Sequence, residues 1–338
     1  MKHLAAAAAA ATLGMAGFAA PALAEGEQII YVTPNPIGNN AFLRLGREGS
    51  EAAAAAMNGS IASYESDSPP AMLENLYAAV GNGADIVVAV SFSAVDGVLE
   101  VAPTAPDTDF LIVDACPQGD RPANIHCAVF REHEASFLMG FMAAKASETG
   151  KLGVVGPIDI PFMHRFTDSF ADGAHHLNPD IDVQVRWVGG QNPFSDPVRA
   201  KEQALALGAQ GADVIYAAAA GGSFGVFEAA AEAGFKVFGV DTNLCEFAEG
   251  RMIDSALKRV DEAILQSLEA IAAGEDAVFA SFGLAEKGMG AIAMDEADAI
   301  AESGCLIAEM PAVAEETRAL AARIISGDVT VNDPLMAE

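Results

Sequence analysis

Short apolar runs recur along this chain, each set off by glycine, aspartate or other small residues. Ile86–Val90 and Val214–Ala217 are runs of this kind, the pattern expected of strands covered on both faces of a sheet. Their surroundings repeat. Ser68-Pro69, Glu74, Gly83-Ala84-Asp85-Ile86-Val87-Val88 and Gly97-Val98-Leu99-Glu100 return 128 residues later, without a gap, as Asp196-Pro197, Glu202, Gly211-Ala212-Asp213-Val214-Ile215-Tyr216 and Gly225-Val226-Phe227-Glu228. A slip of one residue then aligns Phe110–Asp114 with Val237–Asp241. Each copy reads as helix, buried strand, helix, buried strand. Ser68 and Asp196 are N-cap types followed by proline at the first helical position, and the glycine before each Ala-Asp ends a helix. Similar units at Gln28–Thr33, Ser60–Tyr64, Gly153–Gly156 and Val183–Val188 complete two parallel, doubly wound α/β sheets. Ligands of such sheets bind beyond the carboxyl ends of the strands. That rule makes Thr33–Phe42, Ser91–Ser93, Asp114, Ala220–Ser223 and Asp241–Asn243 the candidate segments.

The first residues change the compartment. Met1-Lys2-His3, an uncharged Ala- and Gly-rich stretch to Ala20, and Ala22-Leu23-Ala24 before acidic Glu25 form the three-part pattern of a cleaved secretory signal over residues 1–24. No cysteine precedes Cys116, so no thiol near the cut is available to carry a lipid. The expected product is a periplasmic protein without stable membrane insertion. The chain of 338 residues carries a formal charge of −29. Its length suggests two domains, and its charge excludes nucleic acid as a partner. Four cysteines in an exported chain permit two disulfides in three pairings. Cys116–Cys127 is favoured because the loop between them leaves one strand end and enters the next; Cys245 and Cys305 are then the remaining pair. No spacing suggests a metal site or cofactor.

Several blocks, in order, resemble the basic membrane protein family, the purine-nucleoside receptor type of ABC solute-binding protein. Val129-Phe130-Arg131-Glu132-His133-Glu134-Ala135-Ser136-Phe137-Leu138-Met139-Gly140 is similar to that family's F-x-E-x-E-x-x-Y-L-x-G. Gly153-Val154-Val155-Gly156, with Pro161 and Phe166 to Gly173, resembles a second block. Ala209–Ile215, Gly239-Val240-Asp241 and Ser255–Asp261 resemble three more. The resemblance implies a type I periplasmic binding protein, two lobes joined by a three-stranded hinge. Residues 26–130 with 247–278 would form lobe one, and 131–246 with 279–338 lobe two. It also implies a monomer that hands its ligand to an ABC permease and the associated ATPase.

Carried over residue by residue, the resemblance implies a nucleoside-like ligand held between Phe42 and Phe194, with Asp114, Asp241 and Lys258 on its polar edge. Thr33, Asn39, Ala41 and Leu43 depart from the family's opening D … D-x-S-F-N, so the first loop is less acidic. Asn39, Asn40, Ser91, Phe92, Phe162 and Gly222 complete the candidate ligand set. His164 follows the same loop as Phe162 and is a further candidate to look into the cleft. Trp187, alternating within a strand, is expected to pack in the core. A small-sugar binding protein and a periplasmic ligand sensor are the alternatives. A nucleoside hydrolase is the remote one, because no Gly-x-Ser-x-Gly elbow accompanies the histidines.

Overall fold

The computed structural model describes residues 26–336; the leader and the cut before Glu25 lie outside them. The first half runs β1 (Gln28–Thr33), α1 (Ala41–Ala56), β2 (Ser60–Glu65), α2 (Pro69–Gly81), β3 (Ile86–Val90), α3 (Val95–Val101), β4 (Asp109–Val113) and β5 (Ile125–Phe130). After α4 (Glu132–Ala146) the second half repeats it with β6 (Lys151–Gly156), α5 (Pro161–Leu177), β7 (Asp182–Trp187), α6 (Pro197–Ala209), β8 (Val214–Ala217), α7 (Ser223–Ala233), β9 (Lys236–Asp241) and β10 (Met252–Lys258). Then follow α8 (Val260–Ala272), β11 (Phe279–Phe282), β12 (Met289–Ala291), α9 (Ala297–Glu302) and α10 (Pro311–Ile325).

Two six-stranded sheets result, ordered β11-β5-β4-β3-β1-β2 and β12-β10-β9-β8-β6-β7. They are the same sheet built twice. Every pairing is parallel except β12 against β10. The local causes are those of the sequence. Ser68 Oγ accepts from Ala71 N at 3.4 Å and Asp196 Oδ1 from Arg199 N at 3.0 Å, capping α2 and α6 ahead of their prolines. Gly83 and Gly211 adopt φ of 78° and 95° just past those helices. All residues of β3 and β8 are buried. Trp187 stands at the end of β7, half-buried rather than in the core.

The chain passes between lobes three times. α4 follows β5 of the first sheet yet packs on α5 of the second lobe, and α8 follows β10 of the second sheet yet packs on α1 of the first. The third passage joins β11 to β12. These passages correct the expected boundaries. The return to lobe one comes after Lys258, not at 247, because β10 extends the second sheet beside β9 as β5 extends the first. The last passage follows Phe282, not 278, because β11 pairs with β5. Two motif glycines make the first passage possible: a Cβ on Gly140 would strike the Phe170 carbonyl, and one on Gly173 the Phe137 carbonyl, so α4 and α5 touch backbone to backbone.

Both disulfides are present, Cys116–Cys127 and Cys245–Cys305, with Cα separations of 5.5 and 5.2 Å.

Candidate functional site

The carboxyl ends of both sheets face one cavity of about 410 Å³ between the lobes, within the range of small-molecule sites. Four residues that end strands or begin the following turn, Ser91, Asp114, Ala220 and Asp241, hold left-handed backbone with φ of 90°, 81°, 50° and 76°, and all four line the cavity. Such conformations cost of order 1–3 kcal/mol each in a non-glycine residue and collect where function requires them.

Lys258, the last residue of β10, enters this cavity only 2% exposed. Its Nζ lies 2.6 Å from Asp114 Oδ1 and 3.0 Å from Glu132 Oε1. Glu132 Oε2 accepts from Arg165 Nη1 at 3.0 Å, and Arg165 Nε and Nη2 grip both oxygens of Asp333 at 2.8 and 2.6 Å. Arg165 Nη1 also donates to the Phe130 carbonyl at 2.8 Å. A buried line of alternating charge thus runs from the cavity, past the hinge, to the tail. Asp241, buried without a direct contact to this line, has its carboxyl pushed up to about 6, chiefly by burial, with the Lys258 ammonium opposing and the Asp114 and Glu132 charges adding. Burial likewise raises the Asp114 carboxyl, even against the adjacent ammonium. Burial works against the Lys258 ammonium, and Asp114, Glu132 and Asp241 more than offset it, so its pKa is raised.

Aromatic rings close the rest. The ammonium stands 4.7 Å from the Phe130 ring centre, 5.0 Å from that of Phe42, and within 6 Å of Phe162 and Phe166, the geometry of a cation–π cage. Phe92 of the first lobe meets Phe162 and Phe194 of the second at 5.5 and 6.0 Å between centroids. The lobes are therefore closed on each other at this row.

Of the candidate ligand set, Asn40, Phe42, Ser91, Phe92, Asp114, Phe162, Phe194, Asp241 and Lys258 line the cavity. Asn39 does not: it is exposed on the turn before α1, while its neighbour Asn40 turns inward and caps that helix through Leu43 N. Gly222 does not either, being buried over α6 while Ala220, two residues earlier, faces the cavity. His164 points away, hydrogen-bonded to Asp159 and Asp168 outside the cleft at 3.0 and 2.9 Å. Thr33 turns its hydroxyl back to donate to the Asn35 carbonyl at 2.7 Å. Glu132, Arg165 and Asp333 were not anticipated as parts of the site. Glu132 and Phe166 do stand inside the motifs that carried the resemblance; Asp333 stands in none.

The sequence profile of the Bmp family, described as ABC transporter substrate-binding protein PnrA-like, matches residues 27–303. The chain belongs to this family. Among Bmp relatives, Basic membrane protein B of Borreliella burgdorferi is 31% identical over 238 residues, 68% of this chain and 67% of that one. The ABC transporter nucleoside-binding protein BmpA of Lactococcus lactis is 31% identical over 167 residues, 49% of this chain and 46% of that one. Among solved structures, an ABC transporter solute-binding protein from Aeropyrum pernix K1 superposes with a TM-score of 0.77 at 24% identity, covering 90% of this chain and 92% of its own. The shared architecture is the type I periplasmic binding fold, and the Bmp chain is the substrate-binding component of an ABC transporter.

Proposed function

We propose that this Bmp protein captures a nucleoside-like ligand between its lobes and delivers it to a membrane permease, binding without turnover. The observation that carries the reading is the polarity of the cavity. Phe92, Phe162 and Phe194 line it from both lobes, suited to a flat heterocycle. Asp114, Asp241 and Lys258 gather at the strand ends, and carboxylates form strong charge-assisted bonds to sugar hydroxyls. The Lactococcus relative, an ABC transporter nucleoside-binding protein by name, supports the same ligand class.

A thermal-shift panel of nucleosides, free bases and pentoses tests it. A ligand at 100 times its Kd should add about 2.7 kcal/mol of stability and be recovered unchanged. Phe194→Ala should then weaken binding of the best nucleoside roughly 2- to 12-fold, the equivalent of ~0.5–1.5 kcal/mol for one lost ring face, with the unliganded melting temperature little changed. A panel in which only pentoses bind would move the reading to a sugar carrier.

The compartment belongs to the same proposal. With Ala22-Leu23-Ala24 as the cleavage signal, the mature protein is expected in the periplasm with Glu25 at its N-terminus. N-terminal sequencing of the exported protein checks this, and Met1 on membrane-bound material would contradict it.

A further inference from the structure

The two cleft carboxylates share more than their strand-end positions. Asp114 at φ 81° is followed two residues later by Cys116, bonded to Cys127 of the neighbouring strand β5. Asp241 at φ 76° is followed four residues later by Cys245, bonded to Cys305 beyond α9. In each half, then, a strained acidic residue facing the cavity leads straight into a turn that a covalent bond fastens down. A non-glycine residue persists in left-handed backbone only where its surroundings over-determine it. Around Asp114 those surroundings are its own N–H, given to the Ala128 carbonyl at 2.9 Å, and the bond from Cys116 one residue away from that acceptor. Around Asp241 they are the pairing of β9 with β10, the Ser255 hydroxyl on the Thr242 carbonyl at 2.5 Å, and the turn to Cys245. That turn is held by Cys245 N on Asn243 Oδ1 and Asn243 Nδ2 on the Ser303 carbonyl, both 3.0 Å, beside the second bond.

Neither bond is needed to join the lobes. Cys116–Cys127 ties the loop after β4 to strand β5 within the first lobe, and Cys245–Cys305 ties the turn after β9 to the segment after α9 on the second. Cys127, Cys245 and Cys305 are buried and Cys116 is half-buried. What both bonds have in common is that each closes the turn following a cleft aspartate.

We propose that the disulfides are positioning devices for the ligand-binding carboxylates, Cys116–Cys127 for Asp114 and Cys245–Cys305 for Asp241, so that full affinity requires both to be closed. The proposal rests on the reading that these carboxylates receive the ligand. Its physical basis is pre-organisation: a turn free to leave the competent conformation weakens binding by the fraction of time it is away. An oxidising compartment would keep both bonds formed.

The full mature chain carries the test, with inosine as the probe and calorimetry as the readout. Cys245→Ala/Cys305→Ala should bind about tenfold more weakly, as when the competent turn falls to about a tenth of the population. Adding Asp241→Asn in that background should cost much less than Asp241→Asn alone, whereas its cost should be undiminished in Cys116→Ala/Cys127→Ala. A second readout needs no ligand. Carboxyl titration by 13C NMR should show Asp241, which faces Lys258, Asp114 and Glu132, moving toward the ordinary aspartate range only when Cys245–Cys305 is removed. Asp114, facing Lys258, Glu132 and Arg165, should move only when Cys116–Cys127 is removed. If one variant fails to fold, the other carries the same test for its own carboxylate. Folded variants with native affinity, strictly additive losses, or both aspartates shifting together in both variants would overturn the proposal. Should the native chain bind no nucleoside at all, the ligand reading fails, and the titrations alone decide whether the bonds position the carboxylates.

Discussion

Lys258→Met is expected to destabilise the protein by roughly 3–5 kcal/mol, the usual result of removing one partner from a buried ion pair, and to abolish ligand capture. Among the described residues Lys258 is the only cation in contact with Asp114, and it shares Glu132 with Arg165. Glu132 is fully buried and cannot turn to water when the ammonium is gone, and Asp114, 8% exposed on the cavity wall, is left with little more. The four phenylalanine rings that face the cation would lose it as well. A second substitution separates the two effects. Glu132→Gln in the Lys258→Met background removes one of the two excess negative charges, while Arg165 keeps its two bonds to Asp333. Part of the lost stability should therefore return, and none of the binding. Denaturant melts with the ligand panel repeated on both variants check this. Unchanged melting in Lys258→Met would mean that the buried network contributes nothing.

How far the chain could be read beforehand depends on the physics behind each feature. Period, caps and glycine placement are local, and they marked β1 through β4 and β6 through β9 to within a residue or two. They also marked the strand-end segments, because position along a sheet follows from the strands themselves. The hinge was harder. β10 continues the second sheet beyond Asp241, where the repeat had been followed only as far as that residue, and no local pattern says which sheet a strand will join. Asn39 and Gly222 were misplaced for a related reason: a strand-end rule selects a segment, and the turn geometry selects the residue. Of the ion line only Asp114 and Lys258 were legible, as residues matching the family's site. Glu132, Arg165 and Asp333 come from α4, α5 and the tail, and charged residues at such separations leave no periodic trace. Asp333 also lies beyond the family match, which ends at 303.

Asp241→Asn should part affinity from stability in opposite directions. Burial raises this carboxyl from its ordinary 3.8 to about 6, so the folded state binds its proton more tightly than the unfolded chain does. The sign follows directly. Stability falls as pH rises from about 4 to about 6, and above that the folded protein carries the full cost of a desolvated charge, ~3 kcal/mol as an order of magnitude for a shift of this size. Asparagine carries no charge, so the variant should melt higher than the native protein at pH 7.5, with the difference vanishing near pH 4. Ligand affinity should move the other way. An ionised Asp241 is the stronger acceptor for a hydroxyl, and its loss should weaken binding at pH 7.5 by roughly 1.5–3 kcal/mol, about 10- to 150-fold. In the native protein the same acceptor disappears as pH drops through 6, so Kd should rise up to about tenfold per unit below it. The variant should show little of that dependence. Calorimetric titrations at pH 7.5, 6.5 and 5.5, paired with melts at the same values, read both signs at once. A variant that binds as tightly as the native chain at pH 7.5 would remove Asp241 from the site. One that melts lower would mean that the carboxylate is satisfied by partners within the protein, and not held in reserve for a ligand.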